Sequence, residues 1–136
     1  MVGYSGTPLY KKLGIKSGMR VYFYRPPEEY FSLLEGMPLD ITIVKAVRKK
    51  VDFVQIFAKS RAELSKAIKK YRYKIEDDGM IWVSWYKKAS KIPTDITEDT
   101  IREVAFELGL VDIKVCAVDE KWSGLKLVIR KENRGQ

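Results

Sequence analysis

Gly79-Met80-Ile81-Trp82-Val83-Ser84-Trp85-Tyr86-Lys87-Lys88-Ala89-Ser90-Lys91-Ile92-Pro93-Thr94-Asp95-Ile96-Thr97 is the stretch whose reading decides the fold. Gly79 follows Asp77-Asp78 and reads as a turn glycine. Residues 80–85 are apolar and aromatic and read as a strand. A basic, proline-containing loop follows, and Thr97 with Glu98 and Asp99 behind it marks a helix start. A strand leading through a loop into a capped helix is the repeating unit of an α/β sheet.

The same unit recurs upstream. Residues 51–58 read as a strand, and Ser60-Arg61-Ala62-Glu63 is a capping box that opens the next helix. Leu64, Ala67, Ile68 and Tyr71 form its apolar stripe, with Lys66, Lys69 and Lys70 on the opposite side. Residues 19–24 read as a strand, and Arg25-Pro26-Pro27-Glu28-Glu29 as the opening of a helix that reaches 35 and stops at Gly36. Residues 40–44 read as a further strand and 45–50 as a basic connection. At the start, Thr7 caps and Pro8 opens a short helix that Gly14 ends.

Downstream of Thr97, Ile101, Val104, Ala105 and Leu108 keep helical spacing up to Gly109. Residues 112–118 and 125–130 read as an antiparallel hairpin joined by a loop over 119–124. The expected organisation is one domain over 1–131 with an N-terminal arm at 1–7, followed by a frayed polar tail at 132–136. The element order is α/β: a single Rossmann-like, mostly parallel sheet with a C-terminal antiparallel hairpin and helices on both faces. It resembles the class I methyltransferase fold.

Composition narrows the chemistry. The chain has 136 residues, one cysteine and no histidine. Intrachain disulfides, histidine general acid–base catalysis and histidine-ligated zinc are therefore excluded. No apolar run reaches the length of a membrane span. The N-terminus lacks the charged and apolar regions of a signal peptide, so a soluble, cytoplasmic protein is expected. The net charge is +8, and residues 59–74 hold seven basic side chains against the single acid Glu63. Such a balance suits an anionic partner.

Ligands of open parallel sheets bind beyond the carboxyl ends of the strands. Arg25, Lys45, Lys59, Arg61, Lys87, Lys88 and Lys91 all follow strands, and helix N-termini at that edge are expected to offer backbone N–H groups. Trp82 and Trp85 lie an odd number of residues apart, so they take opposite faces. Trp82 is expected in the core and Trp85 at the ligand edge, as a stacking surface. Solvated surface is the plainer reading of any single lysine. It is also the plainer reading of the Lys66, Lys69, Lys70 face, for which a nucleic-acid patch is the alternative. Cys116 falls mid-strand and reads as a small buried hydrophobe.

A methyltransferase of this fold carries a glycine-rich turn after its first strand and an acid at the end of its second. Here those places read Tyr24-Arg25-Pro26-Pro27-Glu28 and Val44-Lys45. Both departures oppose S-adenosylmethionine as a cofactor.

Three stretches carry a further likeness: Gly3-Tyr4-Ser5-Gly6-Thr7-Pro8-Leu9, then Trp82-Val83-Ser84-Trp85 with Lys87-Lys88-Ala89-Ser90, and Val115-Cys116-Ala117-Val118-Asp119-Glu120 with Trp122-Ser123-Gly124-Leu125-Lys126. In these the chain resembles a family of short bacterial and archaeal proteins known only as a domain of unknown function. The family pattern carries proline where this chain has Tyr86. The resemblance implies a methyltransferase-like single domain and brings no activity with it.

The functional expectation is a non-catalytic binding protein on a degenerate methyltransferase-like fold. It would hold an anionic or nucleotide-like ligand, with Lys87, Lys88 and Ser90 on the anion, Trp85 stacking, and Asp119, Trp122 and Ser123 closing the site. A divergent S-adenosylmethionine-dependent methyltransferase and a nucleic-acid-binding protein using Lys66, Lys69 and Lys70 are the alternatives. No catalytic residue, metal or membrane contact is expected.

Overall fold

The computed structural model of the protein describes residues 6–135. Its elements run α1 (Leu9–Leu13), β1 (Arg20–Tyr24), β2 (Thr42–Ile43), β3 (Val51–Phe57), α2 (Arg61–Tyr71), β4 (Ile75–Tyr86), α3 (Glu98–Glu107), β5 (Leu110–Ala117) and β6 (Trp122–Ile129). The strands form one sheet in the order β2-β1-β3-β4-β6-β5. β2, β1, β3 and β4 are parallel, while β6 is antiparallel to both β4 and β5. β5 therefore points the same way as β1, and the β5–β6 loop falls at the carboxyl edge. This is the methyltransferase-like, Rossmann-like sheet expected from the sequence.

The strand alternation sorts the core into two layers. Ile81, Val83 and Trp85 join Leu64, Ile68 and Ile101 under α2 and α3. Met80 and Trp82 join Leu13, Tyr30 and Phe53 on the other face, under α1 and a 3-10 turn at Tyr30–Leu34. Full burial of a side chain such as Leu64 or Ile68 contributes about 1.5–3 kcal/mol. Trp82 Nε1 donates to the Leu13 carbonyl at 2.8 Å, which fastens α1 to the sheet. Tyr30 Oη donates to Gln55 Oε1 at 2.6 Å and Gln55 Nε2 to Ser84 Oγ at 3.0 Å, a relay buried inside the second layer.

Local signals hold at α2 and α3. Ser60 Oγ accepts from Glu63 N, and Thr97 Oγ1 accepts from Thr100 N. Elsewhere the fold departs from the sequence reading. The helix expected over 25–35 shrinks to the 3-10 turn Tyr30–Leu34. Arg25 adopts φ 52°, and two prolines follow, each disfavouring helix in the residue before it. At α1 the cap is Pro8 rather than Thr7, with the Pro8 carbonyl accepting from Lys11 and Lys12 N.

The turn expected at Asp77-Asp78-Gly79 is instead a bulge inside β4. Val51 pairs with Ile75 and Phe53 with Met80, so four residues of β4 face one of β3. A Cβ on Gly79 would stand 2.9 Å from the Glu76 carbonyl and 3.1 Å from that of Asp52, which explains glycine there. Within the tail expected to fray, Arg134 Nε donates to the Ile129 carbonyl and Gly135 N to Asp77 Oδ2, while Gln136 lies outside the described residues. Residues 1–5 of the expected arm, and with them part of the Gly3–Leu9 stretch, lie outside the described residues.

No helix among the described residues is long and apolar enough to cross a membrane.

Candidate functional site

Between β1 and β3 the strand order reverses. β1 connects outward to β2, and the chain then crosses to the other side of β1 to form β3. The carboxyl ends of these two strands flank the topological switch point of the sheet. A cleft of about 500 Å³ opens there. The β1 end supplies Arg25, Pro26 and Pro27, and the 3-10 turn supplies Tyr30 and Leu33. The end of β3 adds Lys59, and the far wall is closed by Asp119 and Lys121 of the β5–β6 loop and by Trp122 at the start of β6.

The cleft's floor is aromatic. Tyr86 stacks on Trp122 with ring centroids 4.2 Å apart, and Phe57 meets Trp122 edge-on at 5.1 Å. Trp122 and Tyr30 are buried, whereas Tyr86 keeps part of its ring open. Burial pushes the Tyr30 hydroxyl far above its ordinary pKa, although its bond to Gln55 opposes the shift. It stays a neutral donor. Arg25 is paired with Glu63 across the strand ends. Among the described residues, neither Lys59 nor Lys121 forms an ion pair.

A second cleft of about 820 Å³ adjoins the first, between the end of β4 and the start of α3. Lys87, Lys88 and Lys91 line it, with Ser123 and Arg102. Tyr86 and Ile92 line both clefts and form the ridge between them. Arg102 is consumed by Glu98, Asp99 and Asp112, at 3.1, 3.1 and 3.0 Å. The three lysines form no ion pair among the described residues, so the unbalanced charge of this cleft is positive.

The structure thus divides the residues singled out by sequence. Trp85, Lys87, Lys88 and Ser123 meet in the second cleft, and Asp119 and Trp122 meet in the first. Lys87 N donates to the Lys121 carbonyl at 3.0 Å, so the two loops do touch. Trp85 lines that cleft although it is only 6% exposed and packs beneath α2 and α3; Tyr86, one residue on and on the other face, is the more open ring at this edge. Ser90 Oγ donates to the Lys87 carbonyl at 2.7 Å and accepts from Ile92 N at 3.2 Å, which shapes the loop. Asp119 Oδ1 accepts from Lys121 N and Trp122 N, both at 2.8 Å, and sets the hairpin turn. Trp122 and Ser123 belong to β6 rather than to the loop, paired with Tyr86 and Trp85 of β4.

Side chains take up part of the backbone N–H groups around the start of α2. Asp95 Oδ1 accepts from Arg61 N at 2.7 Å, and Glu63 Oε1 accepts from Lys59 N at 2.7 Å. Arg61 itself turns away to Glu103. Lys66, Lys69 and Lys70 are exposed on α2, away from both clefts. Cys116 is half-buried, and burial raises its thiol pKa, so it is a poor nucleophile. Among the described residues no group of His, Cys, Asp or Glu could hold a metal ion.

Sequence reasoning missed Tyr86. Its signal was parity: even-numbered positions of β4 share the face of Trp82, and the last of them reaches the strand end.

Comparison with solved structures gives the same fold. A type 11 methyltransferase candidate from Sulfolobus solfataricus superposes with a TM-score of 0.66 at 15% identity, over 94% of this chain and 93% of that one. A SAM-dependent methyltransferase from Aquifex aeolicus gives 0.63 at 13%, over 89% and 88%. Fibrillarin from Aeropyrum pernix, solved with natively bound S-adenosyl-L-methionine, gives 0.55 at 12%, over 93% and 70%. At such identities the likeness is one of fold. No protein of curated function matches the sequence. The sequence pattern over residues 42–131 is that of the proteins of unknown function grouped as DUF3052, and the chain belongs to that family.

Proposed function

We propose that this protein binds a nucleotide-like, anionic small molecule across the two adjoining clefts without acting as a methyltransferase. The ring lies in the switch-point cleft against Tyr86, and the anionic group lies over the ridge among Lys87, Lys88 and Lys91. A partly open aromatic face backed by Trp122 suits a planar ring. Three unpaired lysines next to it suit phosphate or carboxylate oxygens.

The observation that carries the non-enzymatic reading is the end of β1. S-adenosylmethionine, which the fibrillarin holds, does not fit the residues here. Its usual cradle is a glycine turn whose backbone N–H groups face the ligand. Pro26 and Pro27 have no N–H, and the Arg25 side chain spans the strand ends to reach Glu63. The exit of β2 is Val44-Lys45, with no carboxylate for ribose hydroxyls. The fold likeness alone supports the competing reading of a divergent methyltransferase.

Equilibrium titration with ATP tests the site. Lys87→Ala with Lys88→Ala is expected to weaken binding roughly ten- to a hundred-fold, the range for losing hydrogen bonds to charged groups. Tyr86→Ala should weaken it as well, and the circular dichroism of both variants should match that of the parent. Unchanged affinity in the lysine variant would sink the proposal.

A further inference from the structure

The opposite edge of the sheet holds a charged cleft of a different kind. It measures about 320 Å³ and lies where α2 and α3 end and β4 and β5 begin. Arg72, Arg130 and Lys50 line it, with Asp77 and Glu107 at its rim.

Arg72 is the informative residue. The residue as a whole is 7% exposed. Its Nε donates to the Leu108 carbonyl. Its Nη atoms donate to no group among the described residues, and no carboxylate pairs with it. A buried guanidinium without an anion is costly. Nor are those Nη atoms sealed from solvent, since the buried side-chain nitrogens without a partner are Arg20 Nε and Arg130 Nε. A Cβ on Gly109, a cleft residue with φ +78°, would come within 3.3 Å of Arg72 Nη2. The carbonyl end of α3, which would repel an anion, is already capped: Arg72 takes Leu108 O, and Asn133 Nδ2 takes Gly109 O at 3.3 Å.

Two exposed aromatic rings flank these arginines. Tyr73 is 69% exposed with the Arg72 guanidinium 4.5 Å from its ring centroid. Phe106 is 65% exposed with the Arg130 guanidinium at 4.3 Å. Arg130 Nε also lies 3.4 Å from Glu132 Oε1, an ion pair without hydrogen-bond geometry. Tyr73 extends the stripe of Lys66, Lys69 and Lys70 at spacings of three, four and seven residues. Arg72 keeps helical dihedrals of φ −50° and ψ −44°, so Tyr73 follows directly on the end of that stripe at the cleft.

From this geometry we infer that the face formed by the α2 lysine stripe, Tyr73 and the arginine cleft binds single-stranded nucleic acid. A backbone phosphate sits on Arg72 and Arg130, bases stack on Tyr73 and Phe106, and the lysines follow the flanking phosphates. Aromatic platforms beside a basic groove are the arrangement that holds single strands without reading their sequence. This site is separate from the carboxyl-edge clefts and does not depend on them.

Fluorescence anisotropy with a fluorescein-labelled single-stranded oligouridylate tests it. Affinity is expected to fall with salt at a log–log slope of roughly −3 to −4, for about five phosphate contacts. Tyr73→Ala should weaken binding roughly five- to a hundred-fold, as for loss of a stacked base. Lys50→Ala with Arg130→Gln should weaken it and flatten the slope by about 1.4, at about 0.7 per cation lost. Lys87→Ala with Lys88→Ala should leave it unchanged. Absent binding at low salt, binding indifferent to Tyr73, or binding lost only in the Lys87 and Lys88 variant would each overturn the inference. So would binding of inorganic pyrophosphate in the cleft without any binding of the oligonucleotide.

Discussion

Replacing Gln55 by leucine should cost more than any other near-isosteric change in the sheet. Gln55 is fully buried, as are its partners Tyr30 and Ser84. It accepts from Tyr30 Oη at 2.6 Å and donates to Ser84 Oγ at 3.0 Å. Leucine fills the volume and leaves both hydroxyls without their partner. Each orphaned buried group costs about 1–3 kcal/mol, and the added apolar contact returns part of that, so the net loss is about 2–4 kcal/mol. For a domain of this length that lowers Tm by roughly 6–16 °C.

Tyr30→Phe orphans only Gln55 Oε1 and should cost about 1–2 kcal/mol. The double variant removes donor and acceptor together and leaves only Ser84 wanting. It should therefore cost less than the sum of the single changes by about 1–2 kcal/mol. Urea unfolding followed by tryptophan fluorescence measures all three. If the single changes add to within about 0.5 kcal/mol, the residues do not act as one network and the reasoning fails.

Two further outcomes follow from single contacts. Gly79→Ala drives a Cβ against two backbone carbonyls that cannot swing away, so a loss of about 1–3 kcal/mol is expected in the same urea assay. An unchanged midpoint would mean that the β4 bulge is not as described. Tyr22 is pushed up to about 12, by burial first and then by its hydroxyl partner Tyr71 at 3.2 Å. An unfolded tyrosine ionises near pH 10, so the folded state holds this proton more tightly. The stability carried by that difference is complete below about pH 10 and is lost as pH rises through the folded value. Tyr22→Phe should flatten the fall in stability between about pH 10 and 12, and a slope equal to the parent's would contradict it.

The strands and the two longer helices were legible because their signals are local. A capping box at Ser60 and Glu63, a threonine cap at Thr97 and the alternation along β4 need no distant partner. The segment 25–35 was misread because the acids and prolines that suit a helix start also suit a turn. Arg25 at φ 52° and the two prolines behind it favour the turn. The bulge at Gly79 could not be read from the sequence because the atoms it avoids include the Asp52 carbonyl on β3. Strand direction places the residues singled out by sequence at the carboxyl edge, and the structure spreads them over two adjoining clefts. Tyr86 and Ile92 divide them, and that ridge follows from side-chain parity together with the hairpin register Tyr86↔Trp122. Trp85 illustrates the same point. A tryptophan at a strand end offers a stacking surface only as far as its face of the sheet is uncovered, and α2 and α3 leave this one 6% exposed at the wall of the second cleft.

The central claim is that a methyltransferase-like sheet here holds a nucleotide-like anion and has lost the cradle for S-adenosylmethionine. Calorimetric titration of the Lys50→Ala, Arg130→Gln protein, with the amino-edge cleft weakened, against S-adenosylmethionine and ATP in parallel tests it most directly. The expected result is saturable binding of ATP, weakened by Lys87→Ala with Lys88→Ala, and no heat of binding from S-adenosylmethionine. Saturable binding of S-adenosylmethionine with ATP inert would contradict it, because Arg25-Pro26-Pro27 would then be a working substitute for the glycine turn.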